Sequence, residues 1–296
     1  MKVGFIFIFT IILCTCIFAQ TDLQKMFDTE KAFDQAAINR GQKSAFLEFF
    51  ADDSVIFRPN AINGREFWKS REDLSSLMLV RNPTYADIAA NGLLGYTTGN
   101  WELQPKGKTD LVAMFGQYVT IWEKKQDGKF HASLDIGINH DKPAVSESIE
   151  TLPTDGKRDL NKRGWSAADA SMNFLRMSMT KPALSGAYAK FAAEDVRFLR
   201  ARRLPIVGKK TVVMETKKYI SIDFPKKITL YESADMAYIW NACQYSNSNE
   251  GTEKGNCLHI WKLRNEKWWI VLGVFAPVAN ETQPTLKIKN KSKKSQ

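Results

Sequence analysis

The chain of 296 residues has little of what usually marks a reaction. It contains three histidines and four cysteines, and no GxSxG, Walker, GxGxxG or HExxH motif is present. His131, His140 and His259 are too scattered to give metal-ligand spacing. The sequence therefore predicts no metal and no cofactor, and no motif in it identifies a reaction.

Length and composition exclude further classes. Hydrophobic residues make up 44% and charged residues 25% of the chain. This balance excludes a disordered chain, a collagen and a protein with several membrane spans. A chain of this length fits one or two domains with cores of their own.

The net charge of +10 is concentrated outside the predicted domains. Five lysines lie in the last ten residues and Lys2 is the sixth, so removing six charges leaves +4. We interpret 280–296 as a disordered basic tail, with contact to an anionic surface as the alternative. A second basic cluster at 197–210 is either a solvated face or the holder of an anionic ligand. Aromatic residues do not alternate with its charges, so no nucleic-acid partner is predicted.

The N-terminus has the pattern of a signal peptide. Lys2 precedes the apolar run 3–13, and Ala19 offers a small residue at a cleavage site. We predict a signal peptide over 1–19 and export to the periplasm or the medium, with no stable membrane span after its removal. Lipoprotein-type cleavage before Cys16 is the alternative.

One pattern occurs twice in the chain. Residues 116–137 (GQYVTIWEKKQDGKFHASLDIG) match 255–273 (GNCLHIWKLRNEKWWIVLG), and FFADDSVIFRP at 49–59 matches KFAAEDVRFLR at 190–200. The order of the blocks is the same in both copies. We predict two homologous domains, 21–140 and 164–279, joined by a solvated linker at 141–163.

Each copy begins with helical periodicity and continues with strands. In the first copy, a capping-box pattern at Thr21 and Gln24 predicts the helix start. The predicted elements that follow are helices over 43–50 and 64–79 and strands at 55–57, 86–90, 93–103, 112–124 and 129–138. Helices followed by a sheet indicate an α+β domain.

The blocks FFADDSVIFRPN, GLLGYTTGNWEL and GQYVTIWEKKQDGKFHASLDIG resemble the SnoaL-like branch of the nuclear transport factor 2-like superfamily, which has a ketosteroid-isomerase-like cone fold. The second copy resembles it through FAAEDVRFL and HIWKLRNEKWWIVLG. The resemblance implies two tandem cone-shaped domains, each with N-terminal helices packed on a strongly curved antiparallel sheet around a pocket. It implies no single function, because the superfamily includes isomerases, cyclases, hydratase-type enzymes, binding modules and association domains.

Two carboxylates are the catalytic candidates. Glu30 lies within the apolar stripe of the first helix and is either a pocket acid or base, or a helix-edge residue paired with an arginine. Asp169 occupies a comparable place in the second domain. Strict alternation over 130–136 places Asp135 opposite the core, unless a bulge re-aims it. Members of the resembling family commonly have an aspartate here, whereas the second domain has none near Gly273. The alternative role of Asp135 is a turn or salt bridge at the strand end.

Five residues are the ligand-binding candidates. Arg58 follows a strand and either clamps a carboxylate of the ligand or balances Asp52 or Asp53. The aromatic candidates for the pocket lining are Tyr96, Trp101, Tyr118 and Trp122.

Two further expectations concern the assembly of the chain. Cys243 and Cys257 remain after signal removal and are predicted to form a disulfide, directly opposite each other across antiparallel strands, with Asn241 opposite His259. The strands predicted at 112–124 and 129–138 form a hairpin whose two faces are both partly apolar. The two sheets are therefore expected to pack face to face as an intrachain pseudo-dimer. Two independent domains on a linker are the alternative, and a homodimer is possible.

Three hypotheses for the function follow. The first is an exported protein that binds a small, partly apolar molecule in a hydrophobic pocket. The second is a cofactor-free enzyme of the isomerase, cyclase or hydratase type that uses a carboxylate of the first domain. The third is a structural or association module.

Overall fold

The chain contains two units of the same kind, each made of helices followed by a mixed sheet. The computed structural model describes residues 3–72, 76–107, 114–141, 150–151, 165–179, 184–224, 228–247 and 251–278. Of residues 3–21, 150–151, 220, 221 and 223 only the backbone is described. The first unit is called domain 1 and the unit from residue 165 onward is called domain 2, and the predicted α+β class with two tandem domains is confirmed. The predicted domain boundaries stay predictions.

Helices open each domain. They are α1 (Val3–Arg40), α2 (Gln42–Phe49) and α3 (Gly64–Ser70) in domain 1, and α4 (Ala167–Ser178), α5 (Leu184–Phe191) and α6 (Lys209–Thr216) in domain 2. The backbone of α1 is helical from Val3, so the predicted start at Thr21 is wrong. Gly41, with φ 91°, separates α1 from α2 because glycine adopts positive φ without steric cost.

The sheet of domain 1 has seven strands. They are β1 (Phe50–Phe57), β2 (Ala61–Asn63), β3 (Leu77–Ile88), β4 (Leu94–Pro105), β5 (Met114–Lys124), β6 (Phe130–Asn139) and β7 (Glu150–Thr151). Their spatial order is β2-β1-β6-β5-β4-β3-β7. The neighbours from β3 to β6 are antiparallel, whereas β1 lies parallel to β6 and β7 parallel to β3. The sheet is therefore mixed at its edges rather than purely antiparallel.

The sheet of domain 2 repeats this plan. Its strands are β8 (Ala192–Arg200), β9 (Ile206–Val207), β10 (Tyr219–Asp223), β11 (Thr229–Ser233), β12 (Met236–Asn247), β13 (Gly251–Arg264) and β14 (Lys267–Pro277). Strand β8 lies parallel to β14, as β1 lies parallel to β6. The long edge strand β3 of domain 1 is represented by two short strands, β10 and β11, which both pair with β12.

Two predicted boundaries of domain 1 are wrong. The helix expected over 64–79 ends at Ser70, because Leu77–Ile88 pairs along its whole length with β4 and forms the edge strand β3. The strand predicted at 55–57 begins earlier, at Phe50, so Asp52 and Asp53 lie within β1, where both are exposed.

A β-bulge occurs at the same place in both domains. In domain 1, Ile121 pairs with Leu134 but Trp122 pairs with Ala132, so Ser133 is the additional residue. In domain 2, Ile260 pairs with Leu272 and Trp261 with Ile270. A bulge shifts the alternation of side chains by one residue. The two matched bulges show that the sequence repeat is also a structural repeat.

Each sheet packs its two faces against different partners. The face that meets the helices of the same domain is called the helix face, and the opposite face the outer face. Buried apolar side chains on the helix faces form one cluster in each domain. A third cluster joins outer-face residues of both sheets, among them Val119 and Ile136 of domain 1 and Leu258 and Val274 of domain 2. The outer faces of the two sheets therefore contact each other, and the expected pseudo-dimer stays a prediction.

A buried lysine crosses between the two domains. Lys262 of β13 is 3% exposed, and its Nζ lies 3.0 Å from Asp87 Oδ1 of domain 1 and 3.3 Å from Asp235 Oδ2. It also donates to the carbonyl of Ile88. Asp235 accepts the backbone N–H of Ala90 in domain 1 at 2.6 Å. Charged groups and hydrogen bonds therefore accompany the apolar contact between the sheets.

The predicted disulfide between Cys243 and Cys257 is present, with the Cα atoms 5.9 Å apart. The predicted register is wrong by two residues: Cys243 lies opposite Gly255, and Asn241 lies opposite Cys257. The cysteines are diagonal neighbours, because the register is set by the whole β12–β13 ladder rather than by the two sulfur atoms. Trp101 is diagonal to Tyr118 in domain 1 in the same way, since Trp101 lies opposite Gly116.

Several expectations fall outside the described residues. The tail at 280–296 and most of the linker at 141–163 lie outside them, and within the linker only Asp141 and the backbone of β7 are described. The signal peptide at 1–19 falls on α1, where the side chains are not described, so cleavage and export stay predictions. No helix in the described part of the chain is both long and apolar enough to cross a membrane.

Candidate functional site

Arg81 is the centre of a buried polar cluster on the helix face of domain 1. It lies on β3 opposite Trp101 and is 4% exposed. Its Nε is 3.1 Å from Glu30 Oε1, and its Nη1 donates to Asp135 Oδ1 at 3.1 Å. Its Nη2 donates to Thr120 Oγ1. One guanidinium thus joins α1, β3, β5 and β6.

Two aromatic rings enclose the guanidinium of Arg81. Its Cζ lies 3.7 Å from the ring centroid of Tyr118 and 4.8 Å from that of Phe33. Burial lowers the pKa of Arg81, but the charges of Glu30 and Asp135 outweigh burial and raise it above its usual value. A planar, permanently charged group suits this stacked position better than a lysine.

Glu30 is fully buried, and two hydrogen bonds and one ion pair hold its carboxylate. Thr97 Oγ1 donates to its Oε2 at 2.6 Å and Trp122 Nε1 at 3.1 Å, while Oε1 faces Arg81. The sequence left two roles open, and the structure places Glu30 in the interior and in an ion pair with an arginine. With 0% exposure it supports Arg81 and Trp122 and does not itself face solvent.

Asp135 lies on the helix face because of the bulge at Ser133. The strict alternation predicted over 130–136 is wrong: Phe130 and Ala132 face the helices, whereas Leu134 belongs to the cluster between the sheets. Thr120 Oγ1 donates to Asp135 Oδ1 at 2.7 Å. The side chain of Asp135 is 11% exposed, against 2% for Arg81 and 0% for Glu30.

Asp34 belongs to the cluster but was not identified from the sequence. It follows Glu30 by four residues and therefore lies on the same face of α1. Its Oδ1 accepts the backbone N–H of Arg81 at 2.7 Å. Burial raises the pKa of Asp34 to about 6, although this hydrogen bond and the charge of Arg81 lower it. Asp34 thus changes its charge close to neutral pH.

The ligand-binding candidates lie in different places. Tyr118 and Trp122 are buried on the helix face beside the cluster. Trp101 is half-buried on the same face, and its Nε1 donates to the carbonyls of Gln117 and Ile138, at 3.1 Å each. Tyr96 does not line this interior, because Thr97 faces Glu30 and the neighbouring Tyr96 therefore faces outward, where it packs on Tyr85.

Arg58 lies beyond the end of β1 and is exposed. It donates to the carbonyl of Phe57 at 2.8 Å and lies over the ring of Phe67. It does not balance the acids of β1, because Asp52 pairs with Arg65 and Asp53 with Lys125. Burial of part of its side chain lowers the pKa of Arg58, and the charge of Asp135 acts in the opposite direction, so Arg58 lies within electrostatic reach of the cluster.

Domain 2 lacks the carboxylates of this cluster. His259 and Gly273 pair with each other as Thr120 and Asp135 do. A Cβ atom at Gly273 would lie 3.0 Å from Tyr188 Oη, so Tyr188 fills the space of a side chain there. Burial lowers the pKa of His259 to about 3, which leaves the imidazole neutral next to the Tyr188 hydroxyl.

The helix of domain 2 also differs from that of domain 1. Phe174 packs on Trp261 as Phe33 packs on Trp122, which makes Ser171 the counterpart of Glu30. Ser171 Oγ and Trp261 Nε1 are buried without a hydrogen-bond partner among the described residues. Asp169 is not the counterpart: it is an exposed capping-box residue that bonds Ser166, and these bonds lower its pKa.

Within the described ranges, no group of three or more His, Cys, Asp or Glu side chains is arranged to hold a metal ion. The polar groups of the cluster instead suit hydrogen bonding and proton exchange. Asp135, which keeps some exposure, and Asp34, whose pKa burial raises to about 6, both contact Arg81.

Comparison with known proteins finds likeness at the level of the fold. No family model matches the chain, and a search of the curated proteins finds no match. A nuclear transport factor 2-like protein of unknown function from Prochlorococcus sp. NATL2A is 16% identical, covers 40% of this chain and 97% of its own, and gives a TM-score of 0.33. A similar protein from Pseudomonas putida KT2440 is 16% identical, with 42% and 96% covered and a TM-score of 0.32.

A third solved structure is the nuclear transport factor 2-like protein from Cytophaga hutchinsonii ATCC 33406. It is 12% identical, covers 38% of this chain and 100% of its own, and gives a TM-score of 0.33. Each of these proteins covers about one domain of the chain. The similarity concerns the fold alone, and the chemistry of this chain has to be inferred from its own residues.

Proposed function

We propose that domain 1 is the functional half of an exported protein and that its helix face binds a small, partly apolar molecule. The proposal rests chiefly on the cluster around Arg81, which domain 2 lacks although its strands β13 and β14 pair as β5 and β6 do and contain the same bulge. A fold does not need buried charges for stability, since apolar residues of similar volume often give the folded protein equal stability. The chain keeps these charges in one domain only, which favours a functional role for them.

The charges of the cluster define the kind of ligand. Two carboxylates, those of Glu30 and Asp135, pair with the guanidinium of Arg81, and Asp34 accepts the backbone N–H of the same residue. Glu30 is already bound by Arg81, Thr97 and Trp122. Asp135 and Asp34 keep some exposure. A ligand that places a hydroxyl or amine donor on these acids, with an apolar body against nearby rings, complements the site. The disulfide supports export, because disulfides persist in oxidising compartments.

A second candidate uses the same residues for proton transfer. Efficient general acids and bases have a pKa near the working pH, and burial raises that of Asp34 to about 6. Among the described residues, the hydrogen bonds of Asp135 go to Oδ1, which would leave the other oxygen for a substrate. This arrangement favours a cofactor-free isomerase, cyclase or hydratase type of reaction over chemistry that needs a nucleophile.

Native mass spectrometry tests the proposal. It compares the gently purified wild-type protein with the variant Asp135→Asn. We expect a discrete added mass in the wild-type protein and its loss, or at least a tenfold weaker retention, in the variant. Asp28→Asn is the matched control, because Asp28 is an exposed aspartate on α1 and should retain the ligand.

The two candidates differ in the fate of the bound molecule. If released ligand is recovered unchanged after incubation with fresh protein, domain 1 is a binding module; conversion that stops in Asp135→Asn identifies an enzyme. Equal ligand retention in the wild type and in Asp135→Asn would contradict both. If the wild type carries no added mass, thermal unfolding in the presence of small apolar alcohols and amines replaces the mass measurement. No shift in the unfolding temperature with any of them would exclude the binding site.

A further inference from the structure

Domain 2 contains a second candidate site, unrelated to the cluster around Arg81. A cavity of about 550 Å³ lies where the end of β8 meets β10 and the paired ends of β12 and β13. Its charged lining residues are Arg200, Arg202, Arg203, Lys218 and Glu253. Four cations against one carboxylate give the cavity a positive charge, which favours an anionic occupant.

Arg200 is the buried member of this set. It is 7% exposed, and its guanidinium lies 4.7 Å from the ring centroid of Tyr219 and 4.8 Å from that of Phe275. Its Nη2 donates to Glu253 at 2.5 Å, whereas its Nη1 is buried without a hydrogen-bond partner in the described part of the chain. A buried donor without an acceptor is costly. An anion bound in the cavity would supply the acceptor that Nη1 lacks.

The two exposed arginines belong to the turn that follows β8. Arg202 has φ 64°, a left-handed conformation that is uncommon outside glycine, and its N–H bonds the carbonyl of Asn139 in domain 1. Residues held in such conformations are common at ligand sites. Glu253 already faces Arg200 and weakly faces Arg202, at 3.3 Å. The side chain of Arg203 makes no ion pair with any described residue.

The shared fold does not require these charges. Phe198 pairs with Gly273 as Ile56 pairs with Asp135, so Arg200 occupies the position of Arg58. In domain 1 the turn after this arginine consists of Pro59 and Asn60 and brings no further cation. The additional arginines are therefore particular to domain 2.

We infer that this cavity binds a small organic anion whose carboxylate or phosphate group contacts Arg200, Arg202 and Arg203. Guanidinium groups bind both kinds of oxyanion with paired N–H donors. The aromatic rings beside Arg200 offer an apolar wall for the body of the ligand. The volume of the cavity is in the range that takes a small organic molecule.

Isothermal titration of the full-length protein at low salt tests this inference. The probes are benzoate, phenyl phosphate and inorganic phosphate, with benzyl alcohol as the neutral control. We expect at least one organic anion to bind with a dissociation constant below about 1 mM and more weakly as salt is added. Preference for benzoate or for phenyl phosphate identifies the anionic group. Benzyl alcohol is expected not to bind.

Variants of the cavity locate the bound anion. Arg202→Gln and Arg203→Gln should each weaken binding about tenfold without affecting the fold, because both side chains are exposed, and Arg200→Gln should abolish it. Arg176→Gln, an exposed change on α4, is the matched control and should leave affinity unchanged.

Three results would overturn the inference. The first is the absence of binding by every anion at millimolar concentration. The second is unchanged affinity in Arg202→Gln and Arg203→Gln, which would place the anion elsewhere, for example on the lysine-rich C-terminus. The third is binding of inorganic phosphate as tight as that of both organic anions, which would remove the organic body from the proposal.

Discussion

At the scale of single residues, domain 1 distributes its buried charge unequally among three acids. Glu30 is fully used inside the protein, Asp135 shares Arg81 and Thr120, and Asp34 accepts one backbone N–H. Burial raises the pKa of Asp34 to about 6, because it outweighs the favourable contacts of this carboxylate. It is therefore the residue through which pH should act on the site.

Asp34→Asn should reduce the dependence of stability on pH. A carboxyl whose pKa is raised in the folded state stabilises the protein below the unfolded value of 3.8, and this contribution is lost as the pH rises to about 6. Asparagine keeps the acceptor for the N–H of Arg81 but does not titrate. Urea unfolding at pH 4 and pH 7 should show a smaller fall in the free energy of unfolding for the variant than for the wild type.

Asp28→Asn serves again as the matched control on α1 and should keep the wild-type dependence. Identical pH profiles for the wild type and Asp34→Asn would mean that Asp34 titrates at the same pH in the folded and unfolded protein. The description of Asp34 as a buried, titratable group would then be wrong.

At the scale of helices and strands, the sequence predicted much of the layout and identified Glu30 and Asp135, but it did not identify Arg81 or Asp34. The hairpin around Asp127–Gly128 and the pairing of the repeats could be predicted, because turn residues and repeated blocks are local signals. The bulge at Ser133 leaves no such signal, and it decides which face Asp135 occupies. Arg81 is 47 residues from Asp34 and 54 from Asp135, so only the tertiary fold brings them together.

The edge strand β3 shows why Arg81 was not recognised as part of the site. The segment that precedes it was predicted to be helical as far as residue 79, which separated Arg81 from any predicted sheet. Pairing with β4 overrides local preference there, since strand formation depends strongly on the neighbouring strand. Asp34 did carry a signal, its spacing of four residues from Glu30, which places both acids on one helix face.

The disulfide between β12 and β13 allows a prediction at this scale. Replacing both cysteines, Cys243→Ala with Cys257→Ala, should lower the free energy of unfolding by about 2–4 kcal/mol. Urea unfolding of the oxidised wild type and the double variant measures the difference. Ligand retention by domain 1 should be unchanged, because the disulfide lies on the helix face of domain 2. Equal stability of the two proteins would show that the disulfide contributes nothing.

At the scale of the whole molecule, the two domains share one architecture and differ in what their helix faces contain. Domain 1 has the acids around Arg81, whereas the matching positions of domain 2 hold His259, Gly273 and Ser171 amid aromatic rings. The outer faces of the sheets pack together, and Lys262 bridges acids of both domains. Because the two domains share their architecture but differ in the residues of their helix faces, we infer that they have separate roles.

Lys262→Met should weaken the contact between the domains. The change leaves Asp87 and Asp235 buried without their shared cation, and removing one partner of a buried ion pair typically costs about 3–5 kcal/mol. Thermal and urea unfolding measure the loss. Lys254→Met, an exposed change on the same strand, is the matched control. A Lys262→Met protein as stable as the wild type would show that the charges do not hold the domains together.

Carbon-13 NMR gives the most direct test of the titratable cluster in domain 1. The chemical shift of the Asp34 carboxyl carbon is followed between pH 3 and pH 8 in the full-length protein. A midpoint near 6 is expected, and it should shift when a ligand of domain 1 binds. A midpoint at or below 4 would show that the interior of domain 1 holds no acid poised near neutral pH. The cluster around Arg81 would then be a structural ion network, and the functional role proposed for domain 1 would be contradicted.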